Sequence, residues 1–88
     1  VNFRVVENFW ESFYDLRPEQ KESVRRAWAI FKNDPFDRRL RTHRIHKLSA
    51  EYGTTIYSAV IEANLRVIFR MDGETVTTLD IGTHAIYK

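Results

Sequence analysis

The stretch from Ile56 to Ile81, IYSAVIEANLRVIFRMDGETVTTLDI, decides the fold. It divides into three strand-like runs, Ile56 to Ile61, Leu65 to Arg70 and Thr75 to Ile81, each rich in β-branched or aromatic residues. The connections, Glu62-Ala63-Asn64 and Asp72-Gly73, are short enough to be hairpins, and Asp-Gly is a strong hairpin dipeptide. Short connections make the three strands antiparallel neighbours. Strict alternation then sorts their side chains. Tyr57, Ala59, Ile61, Leu65, Val67, Phe69, Leu79 and Ile81 fall on one apolar face, and Ser58, Glu62, Arg66, Arg70, Thr78 and Asp80 on the other. A polar outer face is ordinary for an antiparallel sheet, but arginines in its middle are not.

Working outward, the apolar face needs a cover. Upstream, Asn2 to Val6 reads as a short strand, and from Asn8 the period changes. Phe9, Trp10, Phe13 and Leu16 recur at helical spacing, with Asn8 available as an N-cap. Arg17-Pro18 breaks that helix, and Pro18 suits the first turn of a second one running to about Lys32. Val24, Ala27, Trp28 and Phe31 form its apolar stripe, and Asn33-Asp34-Pro35 ends it. The expectation is an α+β fold, an N-terminal short strand and a two-helix hairpin packed on an antiparallel β-sheet, in one domain over residues 1–88.

Composition bounds the rest. A chain of 88 residues with 14% aromatic content must draw much of its burial from large rings. It has no cysteine, which rules out disulfides and thiolate metal sites and suits a reducing cytosol. No apolar run approaches the roughly 20 residues of a bilayer span, and no basic-then-apolar leader opens the sequence. A cytoplasmic protein without membrane contact is expected.

The net charge is only +2, but its distribution is lopsided. Arg38, Arg39, Arg41, Arg44 and Lys47 crowd into ten residues, with His43 and His46 interleaved. Such a run suits phosphate, because guanidinium groups fork onto its oxygens; a solvated loop or an acidic protein partner would use the same residues. Arg66 and Arg70, on the exposed strand face, suit stabilisation of a phosphorane, or else pair across strands with Glu62 or Asp80. His84 suits proton transfer to ribose oxygens, and Tyr87 suits base stacking or packing. His43 and His46 lack a third partner at ligand spacing, so no metal or other cofactor is expected.

The tail from Leu79 to Tyr87, LDIGTHAIY, resembles the ending of RelE/ParE-superfamily toxins. Leu65-Arg66-Val67-Ile68-Phe69-Arg70 is similar to a strand of that family, and Leu40-Arg41-Thr42-His43-Arg44 to the run before the sheet in its YafQ-type members. The helical end Phe31-Lys32-Asn33-Asp34-Pro35 is similar as well, so the resemblance covers nearly the whole chain in order. It implies a toxin of a bacterial toxin–antitoxin system, a ribosome-dependent and metal-independent mRNA endoribonuclease. Its implied partners are the ribosome, mRNA and a cognate antitoxin, as a homodimer or a hetero-oligomer with that antitoxin. By resemblance Arg66 holds the phosphate, His84 is the general acid and His43 a second catalytic histidine. Arg38, Arg39, Arg41, Arg44, His46, Lys47, Arg70 and Tyr87 are the expected RNA contacts.

The chain departs from the family in two places. No lysine stands on the strand around Tyr57–Ala59, and Val60 and Asn64 occupy the places of a histidine and an aspartate, which leaves Glu62 as the nearest carboxylate base. A ParE-like inhibitor of DNA gyrase and an inactive protein-binding module on the same fold are the alternatives.

Overall fold

An apolar helical stripe and an apolar sheet face both leave water most favourably by packing on each other. The computed structural model, which describes residues 2–83, has that arrangement. The chain runs β1 (Asn2–Val5), α1 (Glu7–Tyr14), α2 (Pro18–Phe31), a 3-10 turn (Arg38–Leu40), β2 (His43–Arg44), α3 (His46–Tyr52), β3 (Ile56–Glu62), β4 (Leu65–Asp72) and β5 (Thr75–Gly82). The class is α+β as expected, and β3, β4 and β5 are antiparallel neighbours. The five strands lie in the order β1-β5-β4-β3-β2. β1 joins β5 in parallel, so the sheet is mixed rather than antiparallel throughout.

The main core lies between the helical hairpin and one sheet face. Phe9 and Phe13 of α1 and Ala27 and Phe31 of α2 meet Val67, Phe69, Val76 and Ile81 of the sheet. Phe69, fully buried, packs edge-on against Phe31 with ring centroids 5.0 Å apart. Pro18 opens α2, and the Gln20 side chain accepts the Arg17 backbone N–H at 2.9 Å. Asn8 does not cap α1, which starts one residue earlier, at Glu7. Its amide instead donates to the Leu79 carbonyl, where β5 has outrun β1 and α1 covers the bare edge.

Two faces predicted for β5 are reversed. A register shift between Ile68↔Asp80 and Phe69↔Thr78 inserts one extra residue, Leu79, into β5. Below the bulge, Thr78 faces Phe69 and lines the main core instead of the polar face. Leu79 instead packs with Leu48, Ile56 and Ile68 in a second, smaller cluster. A one-residue insertion changes the parity of a strand, and alternation read from the sequence has no means of detecting it.

Leu48 belongs to α3, which the sequence pattern did not reveal. Its seven residues contribute only Leu48 and Ser49 to the interior, too little for a visible period. Ser49 Oγ donates to the Ile45 carbonyl and accepts the Ile56 N–H, both at 2.8 Å, which ties α3 to the start of β3. Gly53, at φ 69°, ends the helix in the left-handed region that favours glycine. No helix among the described residues is long and apolar enough to cross a membrane.

Candidate nucleic-acid interface

The segment between α2 and β3 that carries the basic run is held by side chains of its own. Asp34 Oδ1 accepts the Phe36 N–H at 2.9 Å, Thr42 donates its hydroxyl to the Pro35 carbonyl, and Leu40 is buried beneath the 3-10 turn. Asp37 caps that turn and takes a fork of two bonds from the Arg39 guanidinium, each 3.0 Å. The side-chain hydrogen bond from Arg39 holds the Asp37 carboxyl at about 2, below its ordinary value near 3.8. Arg39 therefore brings little free charge to the surface. Arg38, Arg41, Arg44 and Lys47 are exposed and form no ion pair within 4 Å among the described residues, though the charge of Arg38 also acts on Asp37. His46 is exposed at the start of α3, and Lys47 follows it there.

β2 is the edge of the sheet and only two residues long, yet it separates the predicted residues. His43 lies opposite Ser58 and Arg44 opposite Tyr57, so their side chains leave on opposite faces. Ser58 in turn lies opposite Ile68, and Arg66, Ile68 and Arg70 alternate on that same side of β4. His43 and Arg66 therefore share a face, their Cα atoms about 12 Å apart by two strand spacings and a two-residue offset. Two long side chains can span that with a phosphate between them. Arg44, opposite Tyr57, leaves β2 on the other face, at the exposed sheet edge where it also borders His46 and Ser49 of α3.

The backbone sets the tautomer of His43. Its Nδ1 lies 3.0 Å from the Arg41 carbonyl, which can only accept, so Nδ1 carries the proton and the neutral ring keeps its lone pair on Nε2. Arg41 stands in the left-handed region at φ 48°, uncommon for a residue with a side chain, and this conformation turns the chain between the 3-10 turn and β2. The sequence held no sign that the Arg41 carbonyl would orient the histidine. Asp37, two residues before Arg39, is the ion-pair partner that the sequence offered.

The two strand arginines differ. Arg66 is half-buried, and its Nη1 donates to the carbonyls of Glu62 and Ala63 at 2.7 and 2.9 Å. It has no carboxylate partner among the described residues, so the full positive charge stays on the face it shares with His43. Arg70 pairs with Asp72 at 2.9 Å. Neither arginine meets Asp80, whose carboxylate accepts from Ser12 Oγ at 2.6 Å and from the Ile81 N–H at 2.8 Å. Glu62 offers Arg66 its carbonyl and not its carboxylate, and a second bulge sets it opposite Leu65 of the main core. Of the two candidate bases, His43 is the one on the Arg66 face. His84 and Tyr87 lie outside the described residues. No group of three His, Cys, Asp or Glu suited to a metal occurs among the described residues.

On the hairpin side, a cleft of about 610 Å³ opens between α1, α2 and the sheet, lined almost wholly by apolar side chains. Trp10, Tyr14 and Trp28 stand exposed along it.

No family model matches the sequence, and no curated protein matches it. Solved structures do. The E. coli DinJ-YafQ toxin-antitoxin complex aligns at a TM-score of 0.74 with 10% identity, over 97% of this chain and 93% of that one. The archaeal RelE-RelB complex from Pyrococcus horikoshii OT3 aligns at 0.71 with 11% identity, over 93% and 92%. The YoeB/ParE toxin from Agrobacterium tumefaciens aligns at 0.72 with 15% identity, over 96% and 99%. At these identities the likeness is one of fold, and it covers more than nine-tenths of each chain. The chain has the fold of the RelE/ParE toxin superfamily.

Proposed function

We propose that this protein is the toxin of a toxin–antitoxin pair and acts in the cytoplasm as a ribosome-dependent mRNA endoribonuclease. The observation that carries the reading is one sheet face with His43, its Nε2 free to take a proton, and Arg66, a cation without a carboxylate partner among the described residues. Arg38, Arg41, Arg44 and Lys47, exposed in the segment that carries His43, suit a polyanion.

In this mechanism His43 Nε2 removes the proton of a ribose 2′-hydroxyl, and that oxygen attacks the adjacent phosphorus. Arg66 leaves the turn carbonyls for the equatorial phosphoryl oxygens, where charge grows in the transition state. His84 protonates the leaving 5′-oxygen. Gly82, two residues before it in sequence, lies opposite Arg66. The P–O5′ bond breaks as the P–O2′ bond forms, giving a 2′,3′-cyclic phosphate and a 5′-hydroxyl, with no metal in any step. Glu62, set opposite Leu65, is the weaker choice of base.

An antitoxin is the proposed partner, and the exposed aromatics along the hairpin cleft suit a protein that covers them. The test is growth arrest on induction together with cleavage of ribosome-bound mRNA. Arg66→Ala, His43→Ala and His84→Ala should each lower cleavage by about 10²–10³-fold. Equal toxicity and equal cleavage in wild type and all three variants would sink the assignment. Gyrase inhibition in a supercoiling assay, without mRNA cleavage, would move the protein to the ParE-like reading.

A further inference from the structure

The pinned segment holds an aromatic ring that the proposed chemistry does not use. Phe36 is 45% exposed, although it follows the buried Pro35 and precedes the 3-10 turn anchored by Leu40. Its ring stands edge-on to Tyr57 at 5.0 Å and to Phe69 at 6.0 Å, so one side rests on the core and the other meets water. The bonds from Phe36 N–H to Asp34 and from Thr42 to the Pro35 carbonyl hold the peptide before it, and the Asp37 N–H donates to the Asp34 carbonyl at 3.1 Å on its other side. Such a ring is ordered before any ligand arrives. Arg44, opposite Tyr57, leaves β2 on the same face as the Tyr57 ring that Phe36 touches, and Arg38, two residues after Phe36, is exposed and forms no ion pair within 4 Å among the described residues.

A held, half-exposed ring in a segment with exposed guanidinium groups has the chemistry of a single-stranded nucleic acid site, in which a base stacks while its flanking phosphates are held. We infer that Phe36 is a base-stacking residue for the RNA and that the strand crosses the sheet at β2. One nucleotide then rests on Phe36 beside Arg44, on the hairpin side, while the scissile phosphate lies with His43 and Arg66 on the other. The alternation of His43 and Arg44 supplies the geometry: two adjacent residues of an edge strand, with no further strand outside them among the described residues, grip one polymer from both faces. This inference rests on the RNA reading above and adds a positioning contact to it. A ring that served only to cap Tyr57 and Phe69 would be replaceable by leucine.

The experiment uses the full chain and a single-stranded RNA with 2-aminopurine at successive positions and a 2′-deoxy sugar at the cleavage site. Stacking on Phe36 quenches the fluorophore at one position. Phe36→Leu is expected to remove that quench and weaken binding by about 5- to 150-fold, with its melting temperature recorded alongside. Phe36→Trp is expected to keep the quench and bind at least as tightly as wild type. Wild-type affinity and quench in Phe36→Leu overturn the inference, as does a Phe36→Trp protein that binds no better than Phe36→Leu. Loss of antitoxin co-purification in Phe36→Leu with RNA binding unchanged also overturns it, assigning the ring to a protein contact. A wild-type protein that binds and quenches but never cuts mRNA refutes the nuclease reading and leaves the stacking contact standing.

Discussion

The two faces of the sheet are put to different uses. Among the described residues, the hairpin face collects eleven buried apolar side chains, Phe9, Phe13, Phe31 and Phe69 among them, into one core. The opposite face has a cluster of four, Leu48, Ile56, Ile68 and Leu79, held down by a helix of seven residues. The small cluster ends where Arg66 and His43 begin, and there the cations share the face with Val60 and Ser58. A short helix covers enough of that face to keep it ordered, and little enough to leave cations within reach of a substrate. The difference teaches that stability and chemistry are divided between faces, and that β2, with one side chain on each, joins them.

The sharpest way to break this comparison is to weaken each face in turn. Phe69→Ala empties a fully buried ring position in the main core and should cost about 3–5 kcal/mol by chemical denaturation, enough to unfold much of the population. Leu48→Ala, in the small cluster, should cost about 2–3 kcal/mol, at the low end for a buried leucine because the site can collapse beside a short helix. Cleavage in the surviving folded fraction should fall further for Leu48→Ala, since α3 borders the His43 face. If Leu48→Ala were the more destabilising of the two, the assignment of stability to the hairpin face would be wrong.

A smaller effect tests the bulge that sorts the faces. Thr78 Oγ1 is buried on the main-core side and has no hydrogen-bond partner among the described residues. Thr78→Val keeps the shape and removes the stranded hydroxyl, so it should stabilise the fold by about 1 kcal/mol. Were Thr78 on the polar face, as alternation alone has it, the same change would expose a methyl group and gain nothing.

The smallest effect concerns the basic segment. The Asp37 carboxyl titrates lower folded, about 2, than its ordinary value near 3.8, because Arg39 bonds its ionised form. Its contribution to stability is therefore complete above pH 4 and is lost as pH falls through about 2. The carboxyl carbon of Asp37, followed by NMR, should move in that window. Asp37→Asn should flatten the acid limb of stability slightly and free Arg39 for RNA. An Asp37 titration near 4 would show that the pair does not hold.

How much of this was legible in the sequence varies by element. The three strands, their hairpins and the two long helices were readable, because the strands are β-branched runs joined by turn dipeptides and the helices repeat an apolar period. α3 was not, because only Leu48 and Ser49 mark it. Among the site residues, Arg66, His43 and the cationic run were visible as residue types in a suggestive order. Their grouping was not. Arg39 is spent on Asp37, Arg70 on Asp72, and Glu62 is turned opposite Leu65 by a bulge.

The sequence by itself determined the α+β class, the hairpin over an antiparallel core sheet, and which stretch would be basic. Periodicity and turn chemistry are local, and they act before any distant residues meet. Only the tertiary structure decided that β1 pairs in parallel with β5, that Thr78 and Leu79 exchange faces, and that His43 and Arg44 part company across the sheet edge. Those outcomes depend on register and bulges, where one residue inverts every side chain beyond it, and no local pattern records where that residue will fall.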